Sequence, residues 1–134
     1  MAVQLSVAVR NARLDAIETA IGTDAVLKLF TGAQPANCAA ANSGTELWSE
    51  TLPTDWAAAA SSGTKAKSGT WSAAGIGDGD AGHWRLYASD GTTCGAQGSV
   101  TATGGGGDLT LDNISIATDQ VVTIATWVLT DGNA

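Results

Sequence analysis

"AGHWRLYASDGTTCGAQGSV", residues 81–100, holds the only histidine and the only tyrosine of this 134-residue chain, and one of its two cysteines. Asp90-Gly91 lies between two extended segments, the pattern of a β-hairpin closed by a two-residue type I′ turn. Glycine, and more reluctantly aspartate, accepts the positive φ that such a turn demands. Period-2 alternation then sets Trp84, Leu86 and Ala88 on one face and His83, Arg85 and Tyr87 on the other. In that register Cys94 lies opposite Tyr87 and Ala96 opposite Arg85. Read this way, the stretch makes the chain a protein of strands.

Working outward, the flanks support that reading. "DAVLKLFTG" (24–32) alternates as a strand, with Val26, Lys28 and Phe30 on one side and Leu27 and Leu29 on the other. "AQPANCAAANSGT" (33–45) is a loop by composition. "ELWSETL" (46–52) is a second strand, stopped by Pro53. Residues 55–82 have weak periodicity and carry one or two short strands with long connections. Beyond the hairpin, "GGGG" (104–107) is a floppy connection. It leads to strands containing Leu109, Leu111, Ile114 and Ile116, with a bulge or turn at Asp112-Asn113. "VVTIATWVLT" (121–130) is apolar on both faces, as in a central or interface strand. Only the N-terminus departs from this pattern. Leu14, Ile17 and Ile21 recur at helical spacing over residues 5–21, Leu5 and Val9 extend the stripe, and Gly22 sits where a left-handed cap belongs.

Composition narrows the function. Thirteen acidic residues against six basic ones give a net charge of −7, with no basic patch of the kind nucleic acid requires. Arg10, Arg13, Asp15 and Glu18 interrupt the N-terminal segment, so it does not read as a signal peptide, and no apolar run reaches membrane-spanning length. Synthesis in a cytosol leaves Cys38 and Cys94 as thiols at first. They are small buried residues, or a single intrachain disulfide formed after release into an oxidising medium.

Catalytic chemistry finds few parts. His83 has no nucleophile-elbow motif to work with, and its expected place is a strand edge facing solvent or a neighbouring subunit. Cys38, Cys94 and one histidine do not make a zinc site. "GIGDGDAG" (75–82) alternates Asp78 and Asp80 with glycine but lacks the helices and terminal glutamate of an EF-hand. The tetraglycine is not followed by Gly-Lys-Ser/Thr, so it is no phosphate cradle. The expectation is a protein with no catalytic, cofactor or metal residues. Its five tryptophans, spread along the chain, would serve the core and interfaces.

Three stretches carry a resemblance. They are "LSVAVRNARLDAIETAIGTDAVLKLFTG" (5–32), "AGHWRLYASDGTTCGAQGSV" (81–100) and "GGGGDLTLDNISIATDQVVTIATWVLTDGNA" (104–134). Together they make the chain resemble small virion structural proteins of tailed bacteriophages; residues 33–75 match only in character. The resemblance implies a non-enzymatic component present in many copies, assembled in the bacterial host cytoplasm. The favoured role is a capsid decoration or cement protein on the outer head surface, bound to the major capsid protein and itself a dimer or trimer. A neck, collar or tail-fibre attachment protein is the alternative within the virion. A receptor- or carbohydrate-binding module using exposed tryptophans is the alternative outside that class.

The expected architecture is a single domain over residues 1–134. It has an N-terminal helical segment (1–23) and an antiparallel β-sandwich, in one form a jelly roll, over 24–134. Expected contacts with partner subunits fall on Leu5, Val9, Leu14 and Ile17 of the helix and on Trp84 and Trp127, with neither nucleic acid nor membrane as partner.

Overall fold

The computed structural model describes residues 3–132. Helix α1 (Val7–Ile21) precedes strands β1 (Val26–Thr31), β2 (Glu46–Thr51), β3 (Thr64–Ala66), β4 (Trp71–Ala74) and β5 (Gly79–Tyr87). Strands β6 (Cys94–Ala102), β7 (Leu109–Leu111), β8 (Ser115–Ile116), β9 (Val121–Ile124) and β10 (Val128–Thr130) follow. The chain is mainly β with one N-terminal helix. Its main sheet runs β2-β1-β5-β6-β7, with β8 paired to the start of β5, and curls into a half-barrel. Two small sheets, β10-β3 and β4-β9, complete the body. The main sheet is mixed, not purely antiparallel, and the strands do not divide clearly into the two layers of a sandwich.

The exception to antiparallel pairing is made by the tetraglycine. Strands β6 and β7 run parallel, with Val100 opposite Leu109 and Ala102 opposite Leu111. Parallel neighbours ordinarily need a crossover of a dozen or more residues. Here residues 103–108 suffice, because Gly104 and Gly106 take positive φ of 87° and 79°. A Cβ at Gly105 or Gly107 would come within 3 Å of Thr101. The segment is pinned, not floppy: Gly107 N–H donates to Thr101 Oγ1 at 2.9 Å, and the Asp108 carboxylate accepts from the Ser99 N–H at 2.9 Å.

The deciding hairpin forms, with two corrections. Tyr87 pairs with Cys94 as expected, but a bulge between Leu86 and Tyr87 puts Ala96 opposite Leu86 and Gln97 opposite Arg85. The turn is also longer than two residues. Ala88 N–H bonds Thr93 O at 2.9 Å, and only Gly91 has positive φ, at 69°. Asp90 closes the loop with its carboxylate instead, accepting from the N–H groups of Thr92 and Thr93 at 2.8 Å each.

Residues 121–130 do not form one continuous strand. The ladder breaks at 125–127, so that β9 pairs with β4 while β10 pairs with β3. Val121 and Val128 are exposed, whereas Val122 and Ile124 are buried. The break lets Trp127 turn inward. Its ring meets Trp56 edge-on at 5.7 Å, Trp84 edge-on at 6.0 Å and Trp71 at a tilt at 5.5 Å. These four rings join Leu27, Leu29, Leu47, Trp48, Leu86 and Leu109 in one apolar cluster.

Helix α1 starts at Ser6, whose Oγ accepts from the Val9 N–H at 3.3 Å. It ends at Gly22, which has positive φ (92°) but extended ψ (−179°), so the cap is not the left-handed helical one expected. Leu14 and Ile21 face the core, Ile17 is half-buried against it, and Val9 is exposed. A second stripe, Asn11, Asp15 and Glu18, is also engaged. Asn11 Oδ1 accepts from Gly63 N–H at 2.9 Å, Asp15 Oδ1 from Ala60 N–H at 2.9 Å and Glu18 Oε1 from Ala57 N–H at 3.4 Å. The helix is therefore held to the strands by an apolar row and a polar row side by side.

Candidate functional site

The expected division of β5 into two faces holds, yet both faces are covered. Trp84 and Leu86 point into the apolar cluster. His83 and Arg85, on the other face, are 0% and 1% exposed, with loop 33–45 folded over Arg85. The Arg85 guanidinium donates to Asn42 Oδ1 at 2.6 Å, to Cys38 O at 2.8 Å and twice to Ala40 O at 3.1 Å. Tyr87 O–H donates to the same Asn42 oxygen at 2.6 Å. His83 Nδ1 lies 2.9 Å from Gly32 O and its ring stacks on Phe30 at 5.1 Å. The expected edge position for His83 is thus overturned: β5 is flanked by β1 and β6, and the histidine is sealed in. Cys38 and Cys94 come together at the rim of this cluster with their sulfurs 2.8 Å apart, both as thiols.

All five tryptophans, Tyr87 and Phe30 are buried. Trp84 and Trp127, expected as partner anchors, are 3% and 2% exposed, and Trp84 lines a shallow cavity with Gln97 and Thr130. An exposed tryptophan platform for a sugar therefore has no residues to build it. Among the described residues no group of three or more His, Cys, Asp or Glu side chains could hold a metal ion. Asp78, singled out in the glycine-rich turn, accepts from Thr118 N–H at 2.8 Å. No described helix is long and apolar enough to cross a membrane.

A concavity of about 610 Å³ is an open dish containing Asp15, Glu18, Asp55 and Lys65. Asp15, Glu18 and Lys65 are held in structural contacts. Lys65 Nζ, on a side chain only 1% exposed, reaches Asp15 at 2.8 Å, Glu18 at 2.7 Å and Ala58 O at 2.9 Å. Burial alone would push the Lys65 pKa down, but its bonds to Asp15 and Glu18 outweigh that and raise it. The Lys65 hydrogen bond, then the Ala60 N–H, holds the Asp15 carboxyl below its usual value of 3.8. Hydrogen bonds from Thr93 and Thr92 hold Asp90 down to about 2. Carboxyls depressed in the fold stabilise it above their unfolded pKa and lose that contribution as pH falls through the folded value. The urea midpoint should therefore drop as pH falls below about 4. Asp15→Asn should make the drop shallower. An equally steep drop in that variant would remove Asp15 from the acid response.

A second concavity is better placed for contact. Three shallow cavities of about 410, 330 and 370 Å³ lie side by side between α1, β6 and β10. The first shares Ile17 with the second and Thr130 with the third, and together they are termed the groove. Strand edges open onto it. Ser99 N–H turns away from β5 to Asp108, so by alternation Gln97 also directs its backbone groups away from β5. Flanking β10, Trp127 O accepts from Lys67 N–H and Asp131 N–H donates to Gly63 O at the two ends of β3, which turns the backbone groups of Thr130 the opposite way. Gln97 and Thr130 line the same cavity. Of the expected contact residues, Ile17 lines this groove, Leu14 reaches it from the core, Val9 is exposed near the helix start and Leu5 is half-buried. Sequence reading missed this side of β6, where β7 pairs only with Val100–Ala102 and leaves the earlier residues of the strand facing the groove. Comparison of the chain with protein-family models, with curated proteins and with solved structures found no match.

Proposed function

We propose that this chain is a non-enzymatic structural protein of a tailed-bacteriophage virion, acting as a capsid decoration protein on the outer head surface. The observation that carries the reading is the groove between α1, β6 and β10, where strand backbone directed away from β5 and β3 meets exposed helix surface. Strand edges and apolar helix faces are what proteins use to add onto a neighbouring chain. The resemblance over residues 5–32, 81–100 and 104–134 supplies the virion. We read the curled sheet, with its inner face closed by the two small sheets, as a distorted sandwich around the tryptophans. Such a rigid body suits a part that stiffens a shell by contact alone. Copies held as dimers or trimers would gain strength from several modest contacts at once. An acidic exterior would keep densely coated particles dispersed.

Copy number tests this. Quantitative mass spectrometry of purified virions should find the chain in a simple ratio to the major capsid protein. A dozen copies or fewer would move it to the neck or tail. Absence from the particle would remove the virion reading altogether.

A further inference from the structure

We propose that Cys38 and Cys94 form a reversible disulfide latch that locks loop 33–45 over the polar face of β5. The thiols lie 56 positions apart in sequence, yet the fold brings their sulfurs to 2.8 Å. Each is held in place by its surroundings. Cys94 sits in β6 opposite Tyr87, and its sulfur contacts Ala96 O at 3.4 Å. Cys38 belongs to the loop, and its carbonyl is bonded by Arg85 at 2.8 Å. Gln97 Nε2 ties the same loop at Pro35 O, 2.7 Å away. A bond between the sulfurs would close over contacts already made, so oxidation needs little rearrangement. Both residues are half-buried, which leaves a small oxidant a route to the pair.

The oxidant class is a low-molecular-weight disulfide such as oxidised glutathione. The Cys38 sulfur, as thiolate, attacks one glutathione sulfur, breaking that S–S bond and releasing one glutathione thiolate. Cys94 then loses its proton and attacks Cys38, expelling the second glutathione. The sum is two protein thiols and one glutathione disulfide giving one protein disulfide and two glutathione thiols. Burial, together with the neighbouring Cys38 thiol, pushes Cys94 up to about 11, against its interactions with Arg85, which leaves little Cys94 thiolate for the first attack. A chain made in a reducing cytosol would keep the latch open until release into an oxidising medium.

The test uses the intact chain incubated with oxidised glutathione. The expected product is a monomer lighter by two hydrogens, with both thiols lost to alkylation and Tm raised by roughly 10 °C, all reversed by dithiothreitol. Cys94→Ser should stop at a glutathione adduct on Cys38, with no rise in Tm. Persistent free thiols in the native protein would overturn the latch. So would disulfide-linked dimers as the main product, or an intrachain bond that leaves Tm unchanged.

Discussion

Trp127→Ala is expected to lower the unfolding free energy by about 3–5 kcal/mol, the usual cost of truncating a large buried aromatic. The upper end of that range applies, because the ring is the one that Trp56, Trp71 and Trp84 all meet. Each lies on a different segment, so collapse into the vacated space would have to move several elements together. Aromatic pairs add roughly 0.5–1.5 kcal/mol beyond burial, and three are lost at once. Set against a typical total of about 5–15 kcal/mol, the variant would be close to unfolding. Urea denaturation followed by far-ultraviolet circular dichroism measures this without depending on tryptophan emission. Trp127→Phe should cost clearly less, since a smaller ring still fills part of the site. A loss below about 1 kcal/mol for the alanine variant would mean that the cluster is not centred on this residue.

Arg85→Met is expected to cost about 2–3 kcal/mol globally and to release loop 33–45 locally. Two effects compete. Methionine removes a buried cation that has no carboxylate within 4 Å among the described residues, which is favourable. It also deletes the hydrogen bonds to Cys38, Ala40 and Asn42, each to a charged donor and worth about 1.5–3 kcal/mol. The second effect wins, but only partly, because carbonyls on a surface loop can turn to water once released. Faster hydrogen exchange and new protease cleavage between residues 33 and 45 should accompany the loss. Arg85→Lys should not rescue the loop, since one ammonium cannot span three acceptors that a planar fork reaches together. A loop still protected in Arg85→Met would show that Gln97 and the flanking strands hold it without the guanidinium.

Burial of Arg85 also marks where sequence reading reaches its limit. Alternation through residues 83–87 separated the two faces correctly. The expectation that His83 sits at a strand edge facing solvent or a neighbouring subunit failed. Periodicity says which side chains share a face, not whether another segment lies over that face. The covering loop begins some fifty residues earlier and reads as ordinary polar loop. Lys65 poses the same problem: its partners Asp15 and Glu18 come from the helix, where they read only as charges interrupting the N-terminal segment. The groove was half legible, through Ile17, but its β6 side depends on the tight parallel connection at Gly104–Gly107, which composition alone reads as slack.

What the sequence by itself determined is local. Ser6 and Gly22 bound the helix, alternation set β1, β2 and the hairpin strands, and Tyr87 found Cys94 because turn and register are written within a few residues. These follow from backbone sterics and side-chain period, which act over one turn or one strand. Only the tertiary structure decided that β7 runs parallel to β6, that residues 121–130 break between two sheets, and that Trp127 gathers three other rings. It alone brought Cys38 to Cys94, enclosed His83 and sealed Arg85 beneath a loop. Those outcomes depend on which distant surfaces meet, and that is settled by burying the most apolar area while every enclosed charge finds a partner.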